Sequence, residues 1–201
     1  MKMLRNPRLL MLLMLAAAAV VVGACGGDDE SGSSAAANGT DRAFVAEMVP
    51  HHESAVEMAK VAQEKAQHDE VKKLADAIIQ AQNAEIETMN ALAAQMDKDG
   101  VEKGDLGMKM ESMNMSDMSM LENAKPFDRE FIDMMIPHHQ DAIVMARMEL
   151  EEGKNADAKK LAKAIIDAQT KEIDEMNMWR VDWYGKLSPA GGVPAEDEEH
   201  H

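Results

Sequence analysis

Two pairs of adjacent histidines are the residues of this sequence best suited to bind a metal ion. Each pair has one methionine three residues before its first histidine and another seven residues after it. The two sets are Met48, His51, His52 and Met58, and Met135, His138, His139 and Met145. Imidazole nitrogen and thioether sulfur together form a ligand set that suits copper. The alternative is that the histidines are hydrogen-bonded core residues and the methionines fill the core.

A methionine-rich segment at residues 108–120 is the second feature that predicts metal binding. Six of its 13 residues are methionine, namely Met108, Met110, Met113, Met115, Met118 and Met120, and every residue between them is polar. Their spacing places them on no single face of a helix or strand, so core packing does not explain them. Closely spaced thioethers suit a soft ion such as Cu(I) or Ag(I), and they form no disulfides outside the cytoplasm. An oxidant sink is the competing interpretation, because exposed methionine is readily oxidised to sulfoxide.

Polar residues interrupt the apolar stripe of a later segment in each half of the chain. They are Gln82, Glu85, Gln169 and Glu172. Buried carboxylates are costly unless they are paired. We therefore expect Glu85 and Glu172 to hydrogen-bond His52 and His139 and fix their tautomers, or to bind a metal ion directly. A polar layer that sets the register of the helices is the alternative.

These candidate ligands lie in an internal repeat. Shifting the sequence by 87 positions aligns residues 41–90 with residues 128–177 without a gap, and 24 of the 50 aligned positions are identical. In each half, apolar residues recur at helical spacing on two stripes, and breaks fall near residues 67–69, 97–126 and 153–155. This pattern predicts four helices of about 25 residues, each about 38 Å long. The predicted fold is all-α, a four-helix bundle built from two repeated αα-hairpins that bury their apolar stripes against each other.

The predicted first helix places its two histidines differently. With Asp41 as the N-cap, a helical wheel puts His52 on the buried stripe and His51 at the edge of that stripe. Pro50 removes a backbone hydrogen bond just before the pair, so we expect a kink there. The second repeat predicts the same arrangement.

The first 40 residues predict export and attachment to a membrane. Residues 1–24 contain three basic residues, an apolar run and then small residues before Cys25, the only cysteine, and this order is typical of a lipoprotein signal peptide. We expect Cys25 to carry a lipid and residues 25–40 to form a flexible acidic linker. An ordinary cleaved signal peptide is the alternative. A lipidated Cys25 would leave the folded part without a thiol, and hence without disulfides or thiolate metal sites.

The remaining boundaries follow from the repeat. We assign residues 41–97 to the first helical hairpin, 98–126 to a Met-rich loop, 127–186 to the second hairpin and 187–201 to a disordered acidic tail. His68 is interpreted as a surface or capping residue, because Asn155 takes its place in the second repeat. The formal net charge of −16 makes nucleic acid and anionic lipid surfaces poor partners, since both repel an acidic protein, and nucleic acid is not expected as a partner.

The repeated pattern Met-x-Pro-His-His-x-x-Ala-x-x-Met resembles a family of secreted bacterial proteins known as domain of unknown function 305. The resemblance covers residues 41–184 and implies a ferritin-like four-helix bundle with two helices per repeat. It also implies an important His-His pair, here His51 with His52 and His138 with His139, beside the neighbouring methionines. Some members are described as copper-binding proteins of the cell envelope. The Met-rich segment is not part of the family pattern.

Together these features predict an extracytoplasmic lipoprotein that binds copper, most simply Cu(I), for sequestration, tolerance or handover to a copper-handling partner protein. We expect no catalysis. One alternative is a ferritin-like redox enzyme with two metal ions. Di-iron bundles use Glu-x-x-His pairs, and residues 41–184 contain none, so iron is less favoured than copper. The other alternative is a metal-free interaction bundle whose methionines consume oxidants.

Overall fold

The computed structural model describes residues 36–107 and 118–195, of which 79% are helical and none is in a strand. The helices are α1 (Gly39–Lys65), α2 (Asp69–Lys98), α3 (Met118–Asn123), α4 (Phe127–Glu152) and α5 (Ala156–Tyr184). The all-α prediction is confirmed. None of these helices is long and apolar enough to cross a membrane.

The four long helices form two αα-hairpins that pack through their first members. α1 packs along α2, and α4 packs along α5. α1 also packs on α4, whereas α2 and α5 touch each other little. The predicted bundle of two repeated αα-hairpins is therefore confirmed, with α1 and α4 as its central pair. The ferritin-like assignment stays a prediction.

The two hairpins run in opposite directions. Asp41, near the start of α1, accepts hydrogen bonds from the turn between α4 and α5, residues 153–155, which we call the second turn. Asp128, near the start of α4, accepts hydrogen bonds from the turn between α1 and α2, residues 66–68, the first turn. The two turns therefore lie at opposite ends of the bundle, and α1 is antiparallel to α4.

The N-cap of α1 is Asn38, so the prediction of Asp41 at this position was wrong. Asn38 Oδ1 accepts a hydrogen bond from the Asp41 amide at 3.0 Å, and Asp41 Oδ2 accepts one from the Asn38 amide at 2.6 Å. This reciprocal pair is a capping box, which starts the helix three residues earlier than a lone aspartate cap would. Pro50 lies inside α1 and does not end it. The kink at Pro50 stays a prediction.

The core consists of two buried clusters on either side of the histidine pairs. Along α1 and α4, one cluster precedes each pair and the other follows it, in opposite order on the two helices. Because the helices are antiparallel, Met48 shares a cluster with Met145, and Met58 shares the other cluster with Met135. All four thioethers are fully buried. The histidines therefore lie between two apolar layers that each contain methionine from both repeats.

Residues 99–107 fold back onto the start of α1. The Gly104 amide donates to the Gly39 carbonyl at 2.9 Å. A Cβ on Gly104 would lie 2.8 Å from the Gly39 backbone, so only glycine allows this approach. Val101 and Leu106 pack with the cluster that contains Met48. Residues 39 and 40, the end of the predicted linker, are part of α1.

Part of the predicted tail is attached to the second hairpin. Gln140 and Arg147 on α4 donate to backbone carbonyls of residues 190–195, at 2.5 to 2.9 Å. On α5, Asn177 bonds the carbonyl of residue 191 and the amide of residue 188. Disorder was expected for residues 187–201, but residues 187–195 are held because the bundle supplies donors to their main chain. Residues 196–201, with His200 and His201, lie outside the described residues.

Candidate metal centre

Four buried histidines of α1 and α4 form a layer in the middle of the bundle, called here the histidine layer. They are His51, His52, His138 and His139, and each is at most 1% exposed. The rings of His51 and His138 meet across the contact between α1 and α4, with centroids 3.8 Å apart and planes tilted by 35°. The helical wheel predicts His51 at the edge of the buried stripe. It is central because α1 packs on α4 as well as on α2, which buries a wider face than one partner would.

Each hairpin supports one histidine of the layer with a glutamate from its second helix. His52 Nε2 donates to Glu85 Oε2 at 2.8 Å, and His139 Nε2 donates to Glu172 Oε2 at 2.6 Å. Because a carboxylate accepts hydrogen bonds, the proton is assigned to Nε2 and the lone pair to Nδ1. These are the contacts that the sequence predicted for the two glutamates. Their role beside a metal ion stays a prediction.

Six ring nitrogens of the histidine layer have no hydrogen-bond partner among the described residues. They are Nδ1 and Nε2 of His51 and His138, and Nδ1 of His52 and His139. Oε1 of Gln82 and of Gln169, each 3% exposed, also lacks a partner there. A buried polar group without a partner costs about 1–3 kcal/mol. These nitrogens are therefore available to a ligand that the bundle itself does not supply.

The two central imidazoles are held in their neutral form. Burial, and then the neighbouring imidazoles of His52 and His139, lower the pKa of His51 from 6.5 to about 3. Burial, and then the other three imidazoles, lower the pKa of His138 well below 6.5. Metal ions bind neutral imidazole, so protons do not compete with a metal ion at these two residues at neutral pH.

The donor chemistry of the layer fits a soft ion better than a hard one. The described residues contain no group of three or more His, Cys, Asp or Glu side chains placed to hold one metal ion. The rings of His51 and His138 face each other too closely for an ion to fit between them. An imidazole binds a metal ion in the plane of its ring, at about 2 Å, so an ion between the two ring faces would not be coordinated. Imidazole nitrogen together with thioether sulfur from the flanking clusters is the donor set that remains, and copper accepts it.

The Met-rich segment is only partly within the described residues. Met108, Met110, Met113 and Met115 lie outside them. Met118 and Met120 belong to α3, a short helix inside the predicted loop at residues 98–126. Met118 packs against the core cluster that contains Met58, whereas Met120 is 59% exposed. Core packing therefore accounts for Met118 in part, and the metal-binding role of the segment stays a prediction. The predicted lipidation site, Cys25, also lies outside the described residues.

Sequence reasoning missed two polar features at the ends of the bundle. At the first turn, His68 Nδ1 lies 2.5 Å from Asp128 Oδ2. At the second turn, Glu149 is fully buried beside Asp41, and both of its carboxyl oxygens lack a hydrogen-bond partner among the described residues. The signal was present in the repeat alignment, because His68 aligns with Asn155 and Glu149 with Ala62.

The fold and site define a class: a bundle of two helical hairpins whose central helices carry paired, buried histidines. Over residues 41–180 the sequence matches the family described as Domain of unknown function (DUF305). This chain belongs to that family, as its repeated pattern indicated.

Similar solved structures include several forms of one protein, CopM. CopM in the Cu(I)-bound form is 39% identical, with a TM-score of 0.63, over 72% of this chain and 98% of CopM. The Cu(II)-bound form gives a TM-score of 0.64 over 72% of this chain and 97% of CopM, again at 39% identity. CopM was also solved with Ag bound.

Two further relatives extend the comparison. A DUF305 protein from Streptomyces coelicolor is 25% identical, with a TM-score of 0.63, over 75% of this chain and 96% of that one. The uncharacterized protein L153 of Acanthamoeba polyphaga mimivirus is 42% identical over 50 residues, which is 25% of this chain. The match spans only 33% of the mimivirus protein.

Proposed function

We propose that this chain binds copper, as Cu(I), in the histidine layer. The observation that carries the proposal is the set of six buried imidazole nitrogens without a hydrogen-bond partner. Thioethers of both repeats lie in the clusters on either side of that layer. CopM, which is 39% identical, binds Cu(I), Cu(II) and Ag. The metal ion is therefore the primary partner of the protein.

The ligands would have different duties. His51 and His138 stay neutral because burial lowers their pKa, so each offers a lone pair at neutral pH. His52 and His139 would bind through Nδ1 while Glu85 and Glu172 hold the proton on Nε2. A carboxylate that orients an imidazole in this way also raises its strength as a ligand. A copper ion held by imidazoles of both helices would link α1 to α4.

The biological setting belongs to the same proposal. A lipid on Cys25 would tether the chain outside the cytoplasm, and the Streptomyces coelicolor relative is named as a candidate secreted protein. The Met-rich segment would capture copper before it reaches the histidine layer. Sequestration, tolerance or handover to a copper-handling protein would follow, without catalysis.

Replacing His51 and His138 together by leucine tests the histidine layer. Leucine fills a similar volume and removes four unpartnered nitrogens, so the metal-free variant should be as stable as the wild type or more stable. Its affinity for Cu(I), measured by competition with a chromophoric chelator, should fall at least tenfold. If Cu(I) binding is unchanged and the variant loses stability, the histidines are core residues and the proposal fails.

Replacing the six methionines of residues 108–120 by leucine tests the capture role separately. The Cu(I) stoichiometry should fall while the histidine layer keeps its affinity. Leucine at Met89, Met96 and Met176, which are buried outside the repeated His-Met pattern, is the matched control and should leave both values unchanged. Unchanged stoichiometry in the six-residue variant would remove the segment from the proposal.

The two alternative functions make different predictions for metal content. A redox enzyme with two iron ions should contain iron and react with oxygen, and a metal-free interaction bundle should contain no metal. Metal analysis of the protein isolated from its own membrane or envelope fraction separates both from the copper protein proposed above.

A further inference from the structure

The side chain of His68 at the first turn is held more firmly than a surface residue requires. Its Nδ1 bonds Asp128, a carboxylate that is 1% exposed and that also accepts the backbone amides of residues 67 and 68. Its ring stacks on Trp183, with centroids 3.7 Å apart and planes 5° apart. Two independent contacts from α4 and α5 therefore fix both the position and the plane of this imidazole.

The hydrogen bond to Asp128 also fixes the tautomer of His68. Because the Asp128 carboxylate accepts, the proton lies on Nδ1 and the lone pair on Nε2. Nε2 has no hydrogen-bond partner among the described residues, and the His68 side chain is 36% exposed. Imidazoles that bind metals are commonly oriented in this way by a carboxylate on the other nitrogen.

Capping does not explain a histidine at this position. His68 stands at the N-cap of α2 but makes no capping hydrogen bond with its side chain. Asn155, its counterpart at the N-cap of α5, accepts from the amides of residues 157 and 158. Asparagine would therefore cap α2 better than histidine does. With histidine at this position, α2 lacks the side-chain cap that asparagine would provide. This indicates that His68 Nε2 has another role.

A thioether lies at the same end of the bundle. α3 packs on α1 and α4, and Lys65, three residues before His68, donates to the carbonyl of Glu122 at 2.8 Å. Met118, the first residue of α3, and Trp183 both pack against the buried cluster that contains Met58. α3 thus brings one methionine of the Met-rich segment to the end of the bundle where His68 is held.

We infer that His68 Nε2 and the Met118 thioether form a second site for a soft metal ion, separate from the histidine layer and open to solvent. The inference rests on the proposed copper function and adds to it a site at the surface of the folded bundle. Imidazole with thioether is a set that accepts Cu(I) or Ag(I). The site has one fixed ligand, the imidazole, and one on a short helix.

The test is an NMR titration of the full chain with Ag(I), observing ¹⁵N shifts of the histidine rings. The protein carries His200→Asn and His201→Asn so that these residues do not compete for the ion. Saturating Ag(I) should shift His68 Nε2, and His68→Asn should lower the stoichiometry by one ion. Met118→Leu should weaken binding at His68 at least tenfold and leave the shifts of the histidine layer unchanged.

The outcomes separate this inference from the proposed function. Shifts in the histidine layer with none at His68 would overturn the second site and leave the proposed function intact. A shift at His68 with none in the layer would do the reverse. If His68 binds Ag(I) equally well in Met118→Leu, the thioether is not a ligand and the paired site is wrong. His68→Asn recreates the residue that the second repeat uses at the same turn, so loss of folding is not expected to obscure the result.

Discussion

Each end of the bundle has an equivalent aspartate that accepts the backbone amides of a turn. The side chains around these two aspartates differ. Asp128 accepts the two backbone amides of the first turn at 2.9 Å each, and Asp41 accepts the two amides of the second turn at 2.9 and 2.8 Å. Around Asp128 the additional partner is His68, which is partly exposed. Beside Asp41 the neighbouring side chain is Glu149, which is fully buried and whose carboxyl oxygens make no hydrogen bond within the described residues. Both repeats therefore contain an aspartate that accepts two turn amides, but the side chain next to that aspartate differs.

The end with Glu149 contains a protonated carboxyl group, whereas the end with His68 contains an imidazole nitrogen with a lone pair. Burial, and then the adjacent carboxylate of Asp41, raise the pKa of Glu149 to about 9, although Lys159 opposes this. Burial alone would raise the pKa of Asp41, but hydrogen bonds from neighbouring amides lower it. The pair therefore contains one carboxylate and one carboxylic acid at neutral pH. The carboxyl group at this end is fully buried, whereas the imidazole at the other end is partly accessible to solvent.

The largest effect should come from removing either aspartate. Asp41→Ala and Asp128→Ala each leave two backbone amides of a turn without their acceptor, so each should lower the free energy of unfolding by about 2–5 kcal/mol. Denaturant unfolding at neutral pH measures this. Asp97→Ala, at an aspartate whose side chain is 62% exposed, is the control and should change stability by less than about 0.5 kcal/mol. Equal, small effects at all three positions would show that the turns do not depend on these carboxylates.

A smaller loss should follow from adding a methyl group at Gly153. This residue has φ −62° and ψ 159°, close to Ala66 at the first turn with φ −61° and ψ 142°, so the backbone accepts alanine. A Cβ at Gly153 would strike both the Glu149 carboxyl group and the main-chain carbonyl oxygen of Glu149, the latter at 2.5 Å. Gly153→Ala should cost about 1–3 kcal/mol in the wild type. The first turn has no carboxyl group at the equivalent position, because Ala62 takes the place of Glu149.

A double mutant checks that explanation. In a Glu149→Ala background, Gly153→Ala should cost less, because the contact with the carboxyl group is removed while the contact with the main-chain carbonyl remains. Denaturant unfolding of the four proteins gives the coupling free energy. Additive effects would mean that Gly153 is required for another reason.

The pH dependence of stability should differ between wild type and Glu149→Gln. Between pH 4.5, the ordinary pKa, and about 9, the folded state keeps a proton on Glu149 that the unfolded state releases. The free energy of unfolding should therefore fall as pH rises through this window, by up to about 1.4 kcal/mol per pH unit. Glutamine cannot ionise, so the variant should lose this part of the slope. Parallel pH profiles for the two proteins would show that Glu149 is not the proton carrier.

The smallest change in stability should come from His68→Asn. The variant loses the bond to Asp128 and the stacking on Trp183 but gains the cap that Asn155 makes in the second repeat, so the net change should be below about 1 kcal/mol. Thermal unfolding measures it. Asn155→His is the reciprocal control and should lose about 1 kcal/mol, since it gives up a cap. A loss for His68→Asn as large as that for Asp128→Ala would make the imidazole a structural requirement.

The repeat made much of the fold predictable. Helical spacing of apolar residues and 24 identities between the halves predicted two similar hairpins, and that is the observed architecture. The pairing of Glu85 with His52 was also predictable, because a carboxylate on a buried stripe requires a partner. Local periodicity and the cost of burying charge were sufficient for both inferences.

Other features depended on information that a single segment does not contain. His51 was placed at the edge of its stripe because a helical wheel shows one face and not the second neighbour, α4. Asn38 was missed as the cap because residues 25–40 are acidic and small, which concealed the capping box. Residues 187–195 are attached through their backbone carbonyls. Every residue has a backbone carbonyl, so no residue pattern predicts this attachment.

The antiparallel contact of α1 and α4 makes the molecule a covalently joined dimer of hairpins. His51 meets His138 across that contact, and each flanking cluster takes one methionine from each repeat, such as Met48 with Met145. Neither hairpin therefore contains a complete histidine layer, and one hairpin alone would have to pair with a second copy to assemble one. The chain between α2 and α4 keeps the two halves at a fixed one-to-one ratio, so assembly of the layer does not depend on protein concentration.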